Sequence, residues 1–220
     1  KTDAPLRKNL LSRLRMFFYS GAGLSQPVWD SLHATQEAEL GERIVMATGL
    51  GMTESAPSAM FVNSIDVKAG DIGAPVPGMT LKLVPVDGKT EVRYRGPNVT
   101  PGYWRSDAAT RDAFDEEGYL CTGDAVLWID PDNIHRGLKF DGRIAEDFKL
   151  STGTFVSVGP MRAKAIMAGS PYVQDVVLTG LNMKEVGALI FPTPACREVS
   201  GLGADASMYE VLASTPVRQR

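Results

Sequence analysis

The sequence has few of the residues that build disulfide frameworks or zinc sites. It contains two cysteines, Cys121 and Cys196, and two histidines, His33 and His135, among 220 residues. Two thiols cannot form a disulfide framework or a four-thiolate zinc site, and neither histidine has a cysteine or carboxylate at recognisable ligand spacing. Cys121 has no apparent base beside it and is not expected to be a nucleophile. We therefore expect a reducing, cytoplasmic compartment.

Excess charge of one sign and long apolar runs are also missing. The 23 basic and 26 acidic residues give a net charge of −3, which argues against nucleic-acid binding through clustered Lys and Arg. No apolar run approaches the roughly 18–20 residues that span a bilayer. The apolar stretch at 16–19 is also too short for a signal peptide, whose apolar core has about 7–15 residues. These features predict a globular protein of one or two domains with no nucleic-acid or membrane partner.

The first 50 residues predict a helix and then a βαβ unit. Near the N-terminus, apolar residues recur at the helical spacing of a surface helix: Leu6, Leu10, Leu11 and Leu14. The short apolar segments 16–19 and 43–47 predict strands, and residues 26–40 between them predict a helix. Such a crossover imposes parallel strands that are buried on both faces. Ligands bind at the carboxyl ends of such strands, where the Gly-rich segments 20–23 and 49–53 lie.

The middle of the chain predicts mainly antiparallel sheet. Residues 80–85 and 90–94 alternate around an Asp-Gly turn at 87–88, which is a hairpin signal. Residues 106–114 predict a short helix, and residues 127–139 predict a second hairpin around a turn at 130–133. We expect these strands to form a distorted barrel that packs on the βα part.

The last part of the chain predicts a separate small domain. Its predicted elements are strands at 148–150 and 154–158, a helix from Gly159 and Pro160 to about 168, and strands at 173–179 and 186–191. We place the boundary after residue 141, which divides the chain into residues 1–141 and 142–220. The predicted fold class is α/β followed by α+β.

The segment 48–54, with the sequence TGLGMTE, predicts a phosphate and metal site. Gly49 and Gly51 allow close backbone approach or positive φ. Thr53 offers a hydroxyl donor to a phosphate oxygen, and Glu54 offers an oxygen ligand for Mg²⁺. The alternative is an ordinary loop in which Thr53 is a helix N-cap.

A second candidate site is the segment Thr122-Gly123-Asp124. An ionised Asp124 can accept hydrogen bonds from both hydroxyls of a ribose diol; the alternative is plain turn chemistry. Arg143 follows Gly142 about nineteen residues later. Arg143 either pairs with the nucleotide or makes a surface salt bridge of little energetic value.

Five short motifs follow one another along the chain: Gly21-Ala22-Gly23, Gly51-Met52-Thr53-Glu54, Gly102-Tyr103-Trp104, Thr122-Gly123-Asp124 and Gly142-Arg143. In this order and spacing they resemble the adenylate-forming superfamily of acyl-CoA synthetases, luciferases and peptide-synthetase adenylation domains. The resemblance runs from about residue 16 to residue 191. Within it, residues 142–160 resemble feruloyl-CoA synthases, which activate hydroxycinnamic acids.

The resemblance implies the C-terminal part of an AMP-forming acid–CoA ligase that uses ATP, Mg²⁺, CoA and a carboxylic acid, here an aromatic or hydroxycinnamic acid. Its fold would be the end of a large adenylation domain, with βα and β-barrel parts, followed by an incomplete, mobile α+β domain. Thr53 would contact the α-phosphate and Glu54 would bind Mg²⁺, both as catalytic residues. Asp124 would hold the ribose hydroxyls, with Arg143 on the same nucleotide. The other implied binding residues are Gly21, Ala22, Gly23, Gly49, Leu50, Gly51, Met52 and Lys149, the last of which would meet phosphate or CoA.

The sequence also departs from the family pattern. Leu50 replaces an aromatic residue that stacks on adenine, and Ala145 occupies the hinge position. The phosphate loop that ends in Lys-Gly and the C-terminal catalytic lysine have no match, since Lys184 comes too early. With Lys1 in place of Met, these departures predict a piece of a longer enzyme that is inactive alone.

Two alternatives stay open. One is an adenylation enzyme that loads a carrier protein, and the other is a non-catalytic nucleotide-binding module of the same fold. The oligomeric state is not predicted.

Overall fold

The computed structural model describes residues 3–21, 23–62 and 64–219. The chain divides into two compact units, Lys1–Ala145 and Glu146–Arg220. The boundary that the sequence placed after residue 141 falls inside a strand of the first unit, Leu138–Arg143. Among the described residues, no helix is both long and apolar enough to cross a membrane.

The first unit begins with the predicted helix and βαβ arrangement. Helix α1 (Ala4–Leu11) precedes strand β1 (Met16–Phe18), helix α2 (Gln26–Leu40) and strand β2 (Val45–Ala47). Strands β1 and β2 pair in parallel, as the crossover predicts. Helix α2 ends at Gly41, whose φ of 75° is left-handed, a conformation that glycine adopts without steric cost.

The burial of side chains in the helix and βαβ arrangement differs from the prediction. Trp29 of α2 packs with Met46 of β2 and with Val67 in a small cluster. In contrast, Met16, Phe18 and Val45 of the strands that were expected to be buried are exposed, as are Leu6 and Leu10 of the surface helix α1. The prediction of strands buried on both faces is therefore wrong for the described residues. A two-stranded sheet with one helix covers one face only, so alternate side chains stay in solvent.

Seven antiparallel strands form the main sheet of the first unit, in the order β3-β4-β5-β9-β8-β7-β6. They are β3 (Gly49–Leu50), β4 (Met60–Phe61), β5 (Asp71–Pro75), β6 (Thr80–Val86), β7 (Lys89–Arg95), β8 (Leu120–Trp128) and β9 (Leu138–Arg143). The antiparallel prediction is confirmed. Closure of the sheet into a barrel is not confirmed, because β3 and β6 are its two edge strands in the described part of the chain.

The first predicted hairpin is confirmed and the second is only partly correct. Asp87 and Gly88 have φ values of 49° and 83°, the left-handed pair that a two-residue hairpin turn needs. The second hairpin joins β8 to β9, but residues Ile134–Arg136 form a 3₁₀ turn instead of a strand. The predicted short helix is α3 (Asp107–Ala113).

The core of this unit lies along β4, β5, β7, β8 and β9. Its buried residues are Ala59, Met60, Ile72, Met79, Val92, Tyr94, Leu120, Val126 and Leu138. Val92 and Tyr94 alternate with charged residues along β7, because successive side chains of a strand point to opposite faces.

The second unit combines short sheets and helices. Strands β10 (Phe148–Lys149) and β11 (Phe155–Val156) pair, as do β12 (Val173–Thr179) and β13 (Gly187–Pro192). Helix α4 is Val158–Ala168, and three further helices, which the sequence did not predict, are α5 (Cys196–Ser200), α6 (Met208–Ala213) and α7 (Thr215–Arg218). Pro160 is the third residue of α4 and not the first, which is tolerated because N–H groups of the first turn have no intrahelical acceptor.

Candidate functional site

Two β-bulges place Asp124 beside Arg143. The two residues are register partners in β8 and β9, and Nε of Arg143 lies 3.2 Å from Oδ1 of Asp124. The register between β8 and β7 shifts at residues 122–124 of β8. The register between β8 and β9 shifts directly after Asp124. Gly123 and Gly142, with φ of 69° and 90°, supply the left-handed backbone that such irregularities favour. Bulges commonly re-aim a side chain at a functional site.

The bulge at 122–124 satisfies its polar groups within the sheet. The Thr122 hydroxyl donates to the carbonyl of Val92 at 2.5 Å and accepts the backbone N–H of Asp124 at 3.0 Å. The backbone N–H of Gly123 donates to Oε1 of Glu91 at 2.9 Å. The side chain of Asp124 is 4% exposed and that of Arg143 is 53% exposed. The pair therefore joins a buried carboxylate to a guanidinium that reaches solvent. The sequence-based alternative of plain turn chemistry is wrong, because this segment lies within a strand.

Thr53 and Glu54 lie in a 3₁₀ turn, Thr53–Ser55, next to strand β3. The N-cap of this turn is Met52, so the alternative that made Thr53 an N-cap is wrong. The Ser55 hydroxyl accepts the Met52 N–H at 3.0 Å and fixes the turn. Thr53 is exposed and Glu54 is partly buried, so both side chains can meet a ligand.

The loop at 98–103 makes three hydrogen bonds to this turn and a fourth to Ser58, which follows it. The hydroxyl of Tyr103 donates to Oε1 of Glu54 at 2.7 Å, and the N–H of Thr100 donates to the Glu54 carbonyl at 2.8 Å. The side-chain amide of Asn98 donates to the carbonyls of Ser55 and Ser58 at 2.6 and 2.7 Å. The hydrogen bond to Glu54 raises the pKa of Tyr103. The sequence singled out Gly102-Tyr103-Trp104 as a motif but assigned Tyr103 no contact with Glu54.

The glycines at 49 and 51 make the close backbone approach that the sequence predicts, but to their own chain. A Cβ at Gly49 would collide with the carbonyl of Met60, and one at Gly51 with the carbonyl of Pro57. Leu50 and Met52 pack partly against the main core. These four residues therefore also have packing roles that explain their identities.

The other predicted site residues are more dispersed. Gly21 and Gly23 are exposed and follow β1, while Ala22 lies outside the described residues. Lys149 is an exposed residue of β10 in the second unit. The structure thus brings together Asp124 with Arg143, and Glu54 with Tyr103.

The cysteine and histidine side chains that could in principle act as nucleophiles or ligands lie in surroundings typical of structural residues. Burial raises the pKa of the Cys121 thiol, as expected for a cysteine that is not a nucleophile. His33 packs edge-on against Trp29 at 6.0 Å, and burial lowers its pKa. In the described part of the chain, no group of three or more His, Cys, Asp or Glu side chains is arranged to hold a metal ion.

The chain is similar to known enzymes along most of its length. Residues 2–104 match the family model described as AMP-binding enzyme. The probable 4-coumarate–CoA ligase 1 of Dictyostelium discoideum is 30% identical over 185 residues, which are 80% of this chain and 32% of that protein. These matches support assignment to the AMP-binding enzyme family.

Further comparisons agree with this family of adenylate-forming enzymes. The long-chain-fatty-acid–CoA ligase 1 of Homo sapiens is 28% identical over 97% of this chain and 30% of its own length. The A domain of carboxylic acid reductase from Segniliparus rugosus, solved with AMP and a co-purified carboxylic acid, matches with a TM-score of 0.68. At 22% identity it covers 93% of this chain and 31% of that chain, and it supports the fold. The chain therefore spans about a third of the length of the curated relatives it matches.

Proposed function

We propose that this chain is part of an ATP-dependent acid–CoA ligase that forms an acyl-adenylate and then an acyl-CoA thioester. The observation that carries the proposal is the buried Asp124 carboxylate, which two bulges place beside Arg143 in an AMP-binding fold. A buried carboxylate is retained only where it is paired or hydrogen-bonded. Asp124 would accept the ribose hydroxyls of the nucleotide, and Arg143 would orient this carboxylate and contact the same nucleotide.

Glu54 fits a magnesium site completed by substrate. Mg²⁺ in nucleotide enzymes is held by one or two carboxylates together with substrate phosphates, so a lone Glu54 is chemically sufficient. Its carboxylate is already oriented by the Tyr103 hydroxyl. When bound, the ion would neutralise phosphate charge. The exposed hydroxyl of Thr53 would donate to an oxygen of the α-phosphate.

The roles proposed for these residues are consistent with a reaction of two steps, adenylation of the acid and transfer of the acyl group to CoA. In the first, a carboxylate oxygen of the acid bonds to the α-phosphorus of ATP, the bond to the β-phosphate oxygen breaks, and pyrophosphate leaves. In the second, the CoA thiolate attacks the acyl carbonyl carbon and AMP leaves. The first transfer requires in-line alignment and stabilisation of charge on the phosphoryl oxygens. Lys149 is the basic residue of the second unit that we assign to phosphate or CoA.

For the acid we propose an aromatic or hydroxycinnamic compound. The proposal is supported by the resemblance of residues 142–160 to feruloyl-CoA synthases and by the similarity to a probable 4-coumarate–CoA ligase. Another relative is named for long-chain fatty acids, so the substrate test must include both classes.

The test uses the complete natural chain that contains these residues. Acid-dependent exchange of labelled pyrophosphate into ATP would be measured with hydroxycinnamic, benzoic and fatty acids, followed by thioester formation. We expect exchange with an aromatic acid and transfer to free CoA. Exchange with transfer only to a carrier-protein phosphopantetheine would replace the proposed acceptor. AMP binding without exchange for any acid would favour a non-catalytic nucleotide-binding module.

A further inference from the structure

Strand β7 carries a row of charged side chains that are largely removed from solvent. Lys89, Glu91 and Arg93 are alternate residues, so they lie on one face of the strand, opposite Val92 and Tyr94. Their side chains are 7%, 6% and 18% exposed. Burial of charge is costly unless the groups are paired and hydrogen-bonded, so the contacts of this row indicate what it does.

Glu91 contacts the bulge that carries Asp124. Its Oε1 accepts the backbone N–H of Gly123 at 2.9 Å. Because the register shift leaves residues 122–124 opposite Val92 alone, this N–H lacks a regular ladder partner. A carboxylate acceptor for a backbone N–H gives a strong, charge-assisted hydrogen bond. Glu91 thus fixes the Thr122–Gly123 peptide, which lies one residue before Asp124.

Lys89 contacts the irregularity that carries Arg143. Its Nζ donates to the backbone carbonyl of Asp141 at 2.6 Å and lies 3.5 Å from Oδ2 of the same residue. Asp141 precedes Gly142 and Arg143, where β9 departs from regular register with β8. Lys89 therefore holds the second bulge as Glu91 holds the first.

Arg93 connects Glu91 to a wider ionic network. Its Nε lies 2.7 Å from Oε2 of Glu91, and one terminal nitrogen lies 3.1 Å from Oδ2 of Asp115. Asp115 in turn pairs with Lys82 at 2.9 Å. Burial acts to raise the pKa of Asp115, but hydrogen bonds from Lys82, the Tyr119 N–H and Arg93 outweigh it and hold that pKa below its usual range. The second oxygen of Glu91 is therefore anchored independently of Gly123.

We propose that Glu91 and Lys89 are positioning residues that set the Asp124–Arg143 pair for recognition of the ribose diol. This inference rests on the proposed function, because it assumes that the pair binds a nucleotide. Neither residue is assigned a contact with the nucleotide. Glu91 acts through the N–H of Gly123, which precedes Asp124, and Lys89 acts through the carbonyl of Asp141, two residues before Arg143.

The test measures how strongly the complete protein prefers AMP to 2′,3′-dideoxy-AMP, from the two dissociation constants obtained by calorimetry. Glu91→Ala removes the acceptor for the Gly123 N–H, and we expect the preference to fall about tenfold, the value of one charge-assisted hydrogen bond. Glu91→Gln keeps an acceptor oxygen at the same place, and we expect most of the preference to remain. A general loss of stability would weaken both ligands equally and leave their ratio unchanged.

Lys89→Met gives an independent measurement should Glu91→Ala fail to fold. Its control is Arg162→Met, because Arg162 is an ion-paired basic residue of α4 whose partner is Asp175, outside the network of Glu91. We expect Lys89→Met to lower the preference and Arg162→Met to leave it unchanged. A wild-type preference in Glu91→Ala, or in Lys89→Met if the former does not fold, would overturn the inference. A wild-type protein that does not distinguish the two nucleotides would instead overturn the ribose assignment of the proposed function.

Discussion

Replacement of Asp124 by Ala tests the ribose assignment most directly. The side chain is 4% exposed and paired through Oδ1 with Arg143. In the proposed complex the same carboxylate accepts two ribose hydroxyl hydrogen bonds. Ala removes both acceptors, while the guanidinium of Arg143, which is 53% exposed, can be rehydrated. We therefore expect a large effect on nucleotide use and a smaller effect on folding.

The size of the effect follows from the hydrogen bonds that are lost. Each bond to a charged acceptor contributes about 1.5–3 kcal/mol, but the two share one carboxylate and their energies do not simply add. A total of about 3 kcal/mol corresponds to a loss on the order of 100-fold in kcat/KM for ATP. Asp124→Asn keeps the volume and one acceptor oxygen, so we expect a loss of about tenfold.

The assay is pyrophosphate exchange by the complete protein at varied ATP and saturating acid. The melting temperature and the KM for the acid serve as controls, and both should change little compared with kcat/KM for ATP. An Asp124→Ala protein that stays folded and keeps kcat/KM for ATP within about threefold of wild type, well under the value of one such bond, would refute the assignment.

Further outcomes follow from the contacts of the site and the sheet. Tyr103→Phe removes the donor to Glu54, so we expect the half-saturating Mg²⁺ concentration to rise about threefold; an unchanged Mg²⁺ titration would contradict this role. Gly51→Ala introduces a backbone collision and should destabilise the protein by about 1–3 kcal/mol. Thermal melts of Gly51→Ala and of Gly23→Ala, where a Cβ meets nothing within 4 Å, would test this. The lowered pKa of Asp115 stabilises the fold fully above its unfolded pKa of about 4, and this contribution declines as pH falls from there through the lower folded pKa. The destabilisation caused by Asp115→Asn should therefore be smaller at pH 3 than at pH 7, and a constant difference between the two pH values would contradict the linkage. The 220 residues alone, which lack a recognisable phosphate loop, should give no pyrophosphate exchange, and robust exchange would show that they form a complete site.

The candidate site was predictable in part. Thr53, Glu54, Asp124 and Arg143 were proposed because short motifs place suitable chemistry at fixed positions along the chain, and their functional roles stay predictions. Glu91 was missed, because an acidic residue in a strand of alternating apolar and polar residues is normally predicted to face solvent. The positioning role proposed for Glu91 depends on its hydrogen bond with Gly123, which is 32 residues away in the sequence.

The sequence by itself determined the locally encoded features. The Asp-Gly pair at 87–88 specifies a hairpin turn, and Gly41 specifies the end of α2, because left-handed backbone is a property of one or two residues. The parallel pairing of β1 and β2 also follows from the helical crossover between them. Only the tertiary structure decided that Thr122-Gly123-Asp124 is a bulge within β8 and that Lys89 and Glu91 support the bulges of two strands. A bulge leaves backbone groups without ladder partners, and which distant side chains supply those partners depends on strand register that no local pattern encodes.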